Sequence, residues 1–130
     1  MEFILLVEDD ADVRQVMKEM LTGSPFTILE AESAAEALKV LRKVGAHISV
    51  LVTDVRMPGI LDGLDLAKMA QNSWPWIKVI VTTAFADSVA ERLPPNVRFL
   101  PKPWWPEEML GHIRGASAEF EKIQAAALLR

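Results

Sequence analysis

The sequence predicts an α/β fold of five βα units, a doubly wound parallel sheet. Three observations carry this expectation. Five short apolar runs alternate with longer amphipathic stretches. The runs are nearly continuous in Leu, Ile and Val, as parallel strands covered on both faces require. At 130 residues, with 51% hydrophobic and 25% charged, the chain is long enough and apolar enough to bury a core as one globular domain.

The first run is "FILLV", residues 3–7. Val13, Val16, Met17 and Met20 then recur at helical spacing over 11–22. The second run is "FTIL", 26–29, and Ser33-Ala34-Ala35-Glu36 reads as a capping box opening a helix to about residue 44. The third run is "ISVLV", 48–52, followed by a helix over 64–71. The fourth is "IKVIV", 77–81, followed by a short helix over 87–93 that Pro94 and Pro95 end. After "VRFL", 97–100, Pro106 occupies a favourable first helical position and opens a helix over about 106–129, with Gly111 and Gly115 weakening its middle. No repeat, low-complexity tract or linker is visible, so one domain over 1–130 is expected. Five such units fit the flavodoxin-like strand order 2-1-3-4-5.

Composition excludes several classes. There is no cysteine, hence no disulfide framework and no thiolate metal site. A net charge of −4 argues against a nucleic-acid surface. The start, "MEFILLVE", lacks the basic flank and long apolar stretch of a signal peptide. No run approaches the roughly 20 apolar residues of a membrane span. A cytoplasmic protein with no membrane or nucleic-acid partner is expected.

In open α/β sheets ligands bind beyond the carboxyl ends of the strands. Glu8, Asp9 and Asp10 follow the first run, and Asp54 the third. Thr82 and Thr83 follow the fourth, and Lys102, between Pro101 and Pro103, the fifth. Strands 1 and 3 would be neighbours, so Asp9 and Asp54 should converge. Converging carboxylates repel one another, and a divalent cation with oxygen ligands resolves that. Magnesium commonly takes one or two carboxylates plus a phosphate, and lysine is a compact charge suited to phosphate. A carboxylate can itself be the nucleophile, giving an aspartyl phosphate.

With "ILLVEDD" at 4–10, "VTDVRMPG" at 52–59, "DGLDLA" at 62–67, "VIVTTA" at 79–84 and "FLPKPW" at 99–104, the chain resembles the receiver domains of bacterial two-component response regulators. The resemblance is to the single-domain, chemotaxis-regulator-like members. Each motif alone is weak, but all five in this order, over about residues 3–116, are specific. The strand order 2-1-3-4-5 is the family's own, carried over with the resemblance. So are the roles. Asp54 would accept phosphate from a histidine-kinase phosphohistidine. Asp9 would bind Mg²⁺ directly, Glu8 through water, and the Arg56 backbone carbonyl would be a further ligand beside Asp54. Thr83 would hydrogen-bond the phosphoryl group and Lys102 would pair with one of its oxygens. Phe99 would be the aromatic whose rotamer follows Thr83. The Lys102-Pro103 bond would be cis. Asp10 falls outside the metal pair and reads as a helix cap.

The resemblance implies a phosphoacceptor that supports its own phosphorylation and slow dephosphorylation, and not an enzyme acting on others. Its partners would be a sensor histidine kinase or phosphotransfer protein and an output protein. Three features depart from the family pattern. The loop from Pro58 to Gly63 is one residue longer, the segment from Thr83 to Lys102 is short, which predicts a stunted fourth helix, and Phe99 lacks the hydroxyl of the commoner tyrosine. Arg56 and Phe85 lie two residues after Asp54 and Thr83, positions that border the path of attacking water in this family.

Blander readings compete. The acids could be a solvated loop, Thr83 strand filler and Lys102 a surface lysine, but their shared place at strand ends favours a site. His47 and His112 sit away from strand ends and read as structural. Trp74 and Trp76 read as packing. One of Trp104 and Trp105 is expected to pack on the sheet and the other to be exposed. Met109, Ile113, Ala116, Phe120, Ile123 and Ala127 form a heptad-like seam. Its far half would either fray or pair Phe120 and Ile123 with a second subunit, a homodimer. A receiver module of a hybrid histidine kinase is a close alternative. An aspartate-nucleophile phosphohydrolase is disfavoured, because Asp-x-Asp would be expected after the first strand. A flavodoxin-like cofactor binder would need a phosphate-cradling loop where this chain has three acids. A degenerate receiver used only for binding conflicts with the intact acid, threonine and lysine set.

Overall fold

The computed structural model describes residues 2–129, so Met1 and Arg130, the ends of the expected domain, lie outside the described residues. The elements run β1 (Phe3–Val7), α1 (Ala11–Met20), β2 (Thr27–Ala31), α2 (Ala34–Val44), β3 (Ile48–Asp54), α3 (Gly63–Ser73), β4 (Lys78–Thr83), α4 (Ala86–Val89), β5 (Arg98–Pro101) and α5 (Pro106–Leu128). The five strands form one parallel sheet in the order β2-β1-β3-β4-β5, the order expected.

Alternation along the strands divides the core between two layers. Leu5, Val7 and Leu51 face Leu38, Leu41, Leu64 and Ala67 of α2 and α3. Ile4, Leu6, Val50 and Val52 face Met17 of α1 and Met109 and Ile113 of α5. β1 and β3 are covered on both sides, which is why their sequences are apolar without interruption.

Side chains set the helix starts. Asp10 caps α1, accepting from the Asp12 and Val13 N–H groups at 2.9 and 3.3 Å. Ser33 caps α2 by accepting from Glu36 N–H, but the Glu36 carboxylate takes the N–H of Glu32, one residue before the cap. The reciprocal half of the expected box is therefore displaced by one residue. A full reciprocal box does occur at α3, where Asp62 accepts from Leu64 and Asp65 N–H and Asp65 accepts from Asp62 N–H, all at 2.9 Å. Gly63, at the start of α3, is required by close approach: a Cβ there would lie 1.7 Å from the Asp54 carbonyl oxygen.

Strands β2, β4 and β5 begin one residue later than their apolar runs suggest, and β3 continues two residues further, to Asp54. Backbone pairing to neighbours, which hydropathy does not report, sets these ends. The fourth helix is stunted as expected and shorter still: only Ala86–Val89 is α-helical, followed by a single 3₁₀ turn, Ala90–Arg92. Neither Gly111 nor Gly115 interrupts α5. Met109, Ile113 and Ala116 are buried against the sheet, Phe120 is half-buried, and residues 121–129 are exposed. His47 packs its ring near Phe3, and Trp74 and Trp76 lie against the core, with Trp76 Nε1 donating to the Gly45 carbonyl at 3.0 Å.

Candidate functional site

The carboxyl ends of β1, β3, β4 and β5 bring together a small group of charges. At the end of β1 the chain turns so that Glu8 points inward and Asp9 outward: Glu8 is 2% exposed and Asp9 lies at the surface. Asp54 closes β3. Each of Glu8, Asp9 and Asp54 offers a carboxylate oxygen within 4.8 Å of the other two. From the loop after β5, Lys102 Nζ donates to Glu8 Oε1 at 2.6 Å and to Asp54 Oδ2 at 3.2 Å. The Lys102-Pro103 bond is cis. Asp54 Oδ1 accepts from the Val55 N–H at 2.8 Å, which fixes the rotation of the carboxylate.

The electrostatics follow from this crowding. Burial raises the Glu8 carboxyl to about 7; neighbouring Asp54 pushes the same way and Lys102 opposes both. Burial works against the charge on Lys102, but hydrogen bonding to Glu8 and the Asp54 charge outweigh it and raise its pKa. Glu8 Oε2 is buried without a hydrogen-bond partner among the described residues. Three carboxylates, one ammonium and an orphaned buried oxygen form a donor set short of positive charge. Hard oxygen ligands of this kind fit a divalent cation such as Mg²⁺. Glu8, Asp9 and Asp54 could hold it.

Thr83 ends β4 fully buried. Its hydroxyl accepts from the Phe85 N–H at 3.1 Å, leaving the hydroxyl hydrogen to donate, and its carbonyl accepts from the Lys102 N–H at 2.9 Å. The threonine and the lysine are thus joined through the backbone. Phe99 pairs with Val81, two rungs back from the pairing of Thr83 with Pro101. It is half-buried against the core layer of α2 and α3. Arg56 does not aim its side chain at the acids; its guanidinium lies 3.8 Å over the ring of Phe85. Trp104 packs against the sheet with Nε1 donating to Thr82 Oγ1 at 3.1 Å, whereas Trp105 is 74% exposed, the division expected of the pair.

Glu8, Asp9, Asp54 and Lys102 meet, with Thr83 beside them and Phe99 a short way down the sheet. Sequence reasoning missed the Arg56–Phe85 stack and the role of Arg14. Arg14 donates from Nη1 to the Glu8 carbonyl at 2.7 Å. The one signal for it was a cation on the first turn of α1, just behind three acids.

The chain matches the family model described as the response regulator receiver domain over residues 4–114. It is 36% identical over 104 residues to the sensor kinase CckA of Brucella abortus (strain 2308), covering 78% of this chain but 11% of that relative. The chain therefore spans about a tenth of that protein. It is 32% identical to the response regulator receiver protein CpdR of the same organism, covering 98% of this chain and 100% of CpdR. Among solved structures, the response regulator protein TrrA from Thermotoga maritima, in complex with Mg²⁺-BeF, is similar at 25% identity with a TM-score of 0.79, over 89% of this chain and 99% of TrrA.

Proposed function

The chain belongs to the response regulator receiver domain family, and from that premise we propose that it is a phosphoacceptor signalling domain with Asp54 as the acceptor. The observation that carries this reading is the Lys102 ammonium bridging Glu8 and Asp54 while a buried Glu8 oxygen stands unpaired. Such a site has a nucleophile and a counter-charge in place and room for one more cation.

An Asp54 carboxylate oxygen attacks the phosphorus of a kinase phosphohistidine. The new O–P bond forms as the P–N bond breaks, and the imidazole nitrogen leaves with the electron pair. The Val55 N–H holds the carboxylate in one orientation for that attack. Lys102, already 3.2 Å from Asp54, moves its donor from the carboxylate to a phosphoryl oxygen. Thr83 swings its hydroxyl toward the same group and donates its hydrogen to it, and the movement of Oγ1 gives up the contact with the Phe85 N–H. The Phe99 rotamer, on the neighbouring strand and two rungs back, follows the threonine. Asp9, Asp54, Glu8 and the Arg56 carbonyl would hold Mg²⁺, which would supply charge neutralisation for the phosphoryl group.

On this reading the protein acts on itself and is not an enzyme for other substrates. It works in the cytoplasm with a sensor histidine kinase or phosphotransfer protein, and with an output protein that reads its switched state. The likeness to CpdR and to CckA supports a receiver, and the likeness to CckA allows a receiver module of a hybrid kinase. Incubation with acetyl phosphate and Mg²⁺, followed by intact mass measurement and site mapping, tests the central claim. A phosphoryl increment on Asp54 is expected, lost on chelation and in Asp54→Asn. Labelling that persists in Asp54→Asn would refute it.

A further inference from the structure

The acidic loop has to be held against its own charge. Glu8 is buried beside Asp54, and its side chain would escape the repulsion by swinging to solvent, where Asp9 already points. Its backbone is pinned on both sides. The Glu8 N–H donates to the Ala31 carbonyl at 3.1 Å, and the Glu8 carbonyl accepts from Arg14 Nη1 at 2.7 Å. Arg14 is itself clamped: Nε meets Glu30 at 3.3 Å and Nη2 meets Glu32 at 3.4 Å, so all three guanidinium nitrogens are engaged. Its side chain is 12% exposed. Lys18 shares Glu30 at 3.1 Å, which steadies the clamp.

We propose that Arg14 is a positioning residue that aims Glu8 and Asp9 at the metal site, by tying their loop to the end of β2. This rests on the phosphoacceptor reading above and adds a residue to it. Two effects of Arg14 oppose one another. A cation near the acids would repel a metal, but Glu30 and Glu32 already neutralise the guanidinium. The geometric effect therefore dominates, because a loop free to turn Glu8 outward would lose a ligand. Partners that orient metal ligands typically change affinity by about 10–100-fold when removed.

The test titrates Mg²⁺ alone, read by tryptophan fluorescence, since Trp104 lies beside Lys102, and then measures labelling by acetyl phosphate across Mg²⁺ concentrations. Arg14→Met, which keeps the apolar stem, should raise the Mg²⁺ half-saturation about 10-fold. At saturating Mg²⁺ its labelling rate should return to that of the wild type, because Asp54 and Lys102 are untouched. Arg14→Lys, which keeps one donor and the charge, should fall between. An unchanged half-saturation in Arg14→Met, or a lost rate that saturating Mg²⁺ does not restore, overturns the inference. If Arg14→Met fails to fold, Arg14→Lys decides: it keeps the charge but loses the fork that joins Glu8 to Glu30 and Glu32, so half-saturation should still rise, by less, and no shift overturns the inference. A wild type that takes no Mg²⁺-dependent label refutes the phosphoacceptor reading itself, whereas a normal wild type beside an unaffected Arg14→Met refutes this inference alone.

Discussion

Glu8 and Lys102 show how a single pair of side chains sets the chemistry of the site. Burial favours the protonated Glu8 carboxyl in the folded chain, at about 7 against 4.5 for the free group. Over that window the folded state holds a proton that the unfolded state has released. The Glu8 contribution to stability is therefore full below pH 4.5 and is lost as pH rises through about 7. Mg²⁺ bound there would take the charged carboxylate, so its stabilising effect should grow across the same window. Thermal melts with and without Mg²⁺ at about pH 5 and about pH 8 should show the larger gain at the higher pH; equal gains would contradict the Glu8 assignment. Lys102→Ala should fold, because the lysine is at a strand end and outside both core layers. It should leave the NMR signals of Thr83 and Phe99 unresponsive to a phosphoryl mimic. A wild-type response in that variant would remove Lys102 from the switch.

Two glycines separate what an element needs from what its sequence suggests. Gly63 and Gly111 both look like weak points at or in helices. Around Gly63 the end of β3 lies so close that an added Cβ would meet the Asp54 carbonyl carbon at 2.7 Å and the Val55 Cα at 2.9 Å. Backbone cannot give way as a flexible side chain can. Gly63→Ala should cost about 1–3 kcal/mol or more and should displace Asp54. By contrast, a Cβ at Gly111 meets nothing within 4 Å, and its backbone is ordinary helix. Gly111→Ala should therefore stabilise α5 by about 0.5–1 kcal/mol, through propensity alone. Urea denaturation of the two variants should move in opposite directions. A stabilised Gly63→Ala would mean that α3 does not pack against the end of β3 as described.

Viewed as a whole, the molecule is a covered sheet with one long helix continuing past it. α5 has 23 residues, about 35 Å at about 1.5 Å each. The sheet and α1 cover its first half. Beyond that, Phe120 is half-buried and Ile123 is 44% exposed. We propose that a second copy covers this seam across a two-fold axis. Burying an aromatic or aliphatic side chain of this size contributes about 1.5–3 kcal/mol. Phe120 is already partly sheltered by its own domain and contributes toward the lower end. Sedimentation should show a dimer at high micromolar concentration for the wild type and a monomer for the Phe120→Ser, Ile123→Ser double variant. A monomeric wild type under those conditions, with or without phosphodonor, would remove the dimer.

Sequence by itself determined the five strands, the helix class of the intervening segments and the residues at the strand ends. Those properties are local: strand burial on both faces writes itself into an apolar run, and Asp10 and Ser33 cap helices within three residues of themselves. The identities of Glu8, Asp9, Asp54, Thr83 and Lys102 as one set were legible because parallel strands all end on the same side. Only the tertiary structure decided which of Glu8 and Asp9 turns inward, that Lys102 bridges two acids, that Trp104 and not Trp105 packs on the sheet, that Arg56 stacks on Phe85, and that Arg14 bonds the Glu8 carbonyl. These outcomes depend on atoms far apart in the chain: Lys102 and Glu8 are separated by 94 residues. Hydropathy and spacing report a residue's own environment, whereas the partner it meets is fixed by how the layers pack.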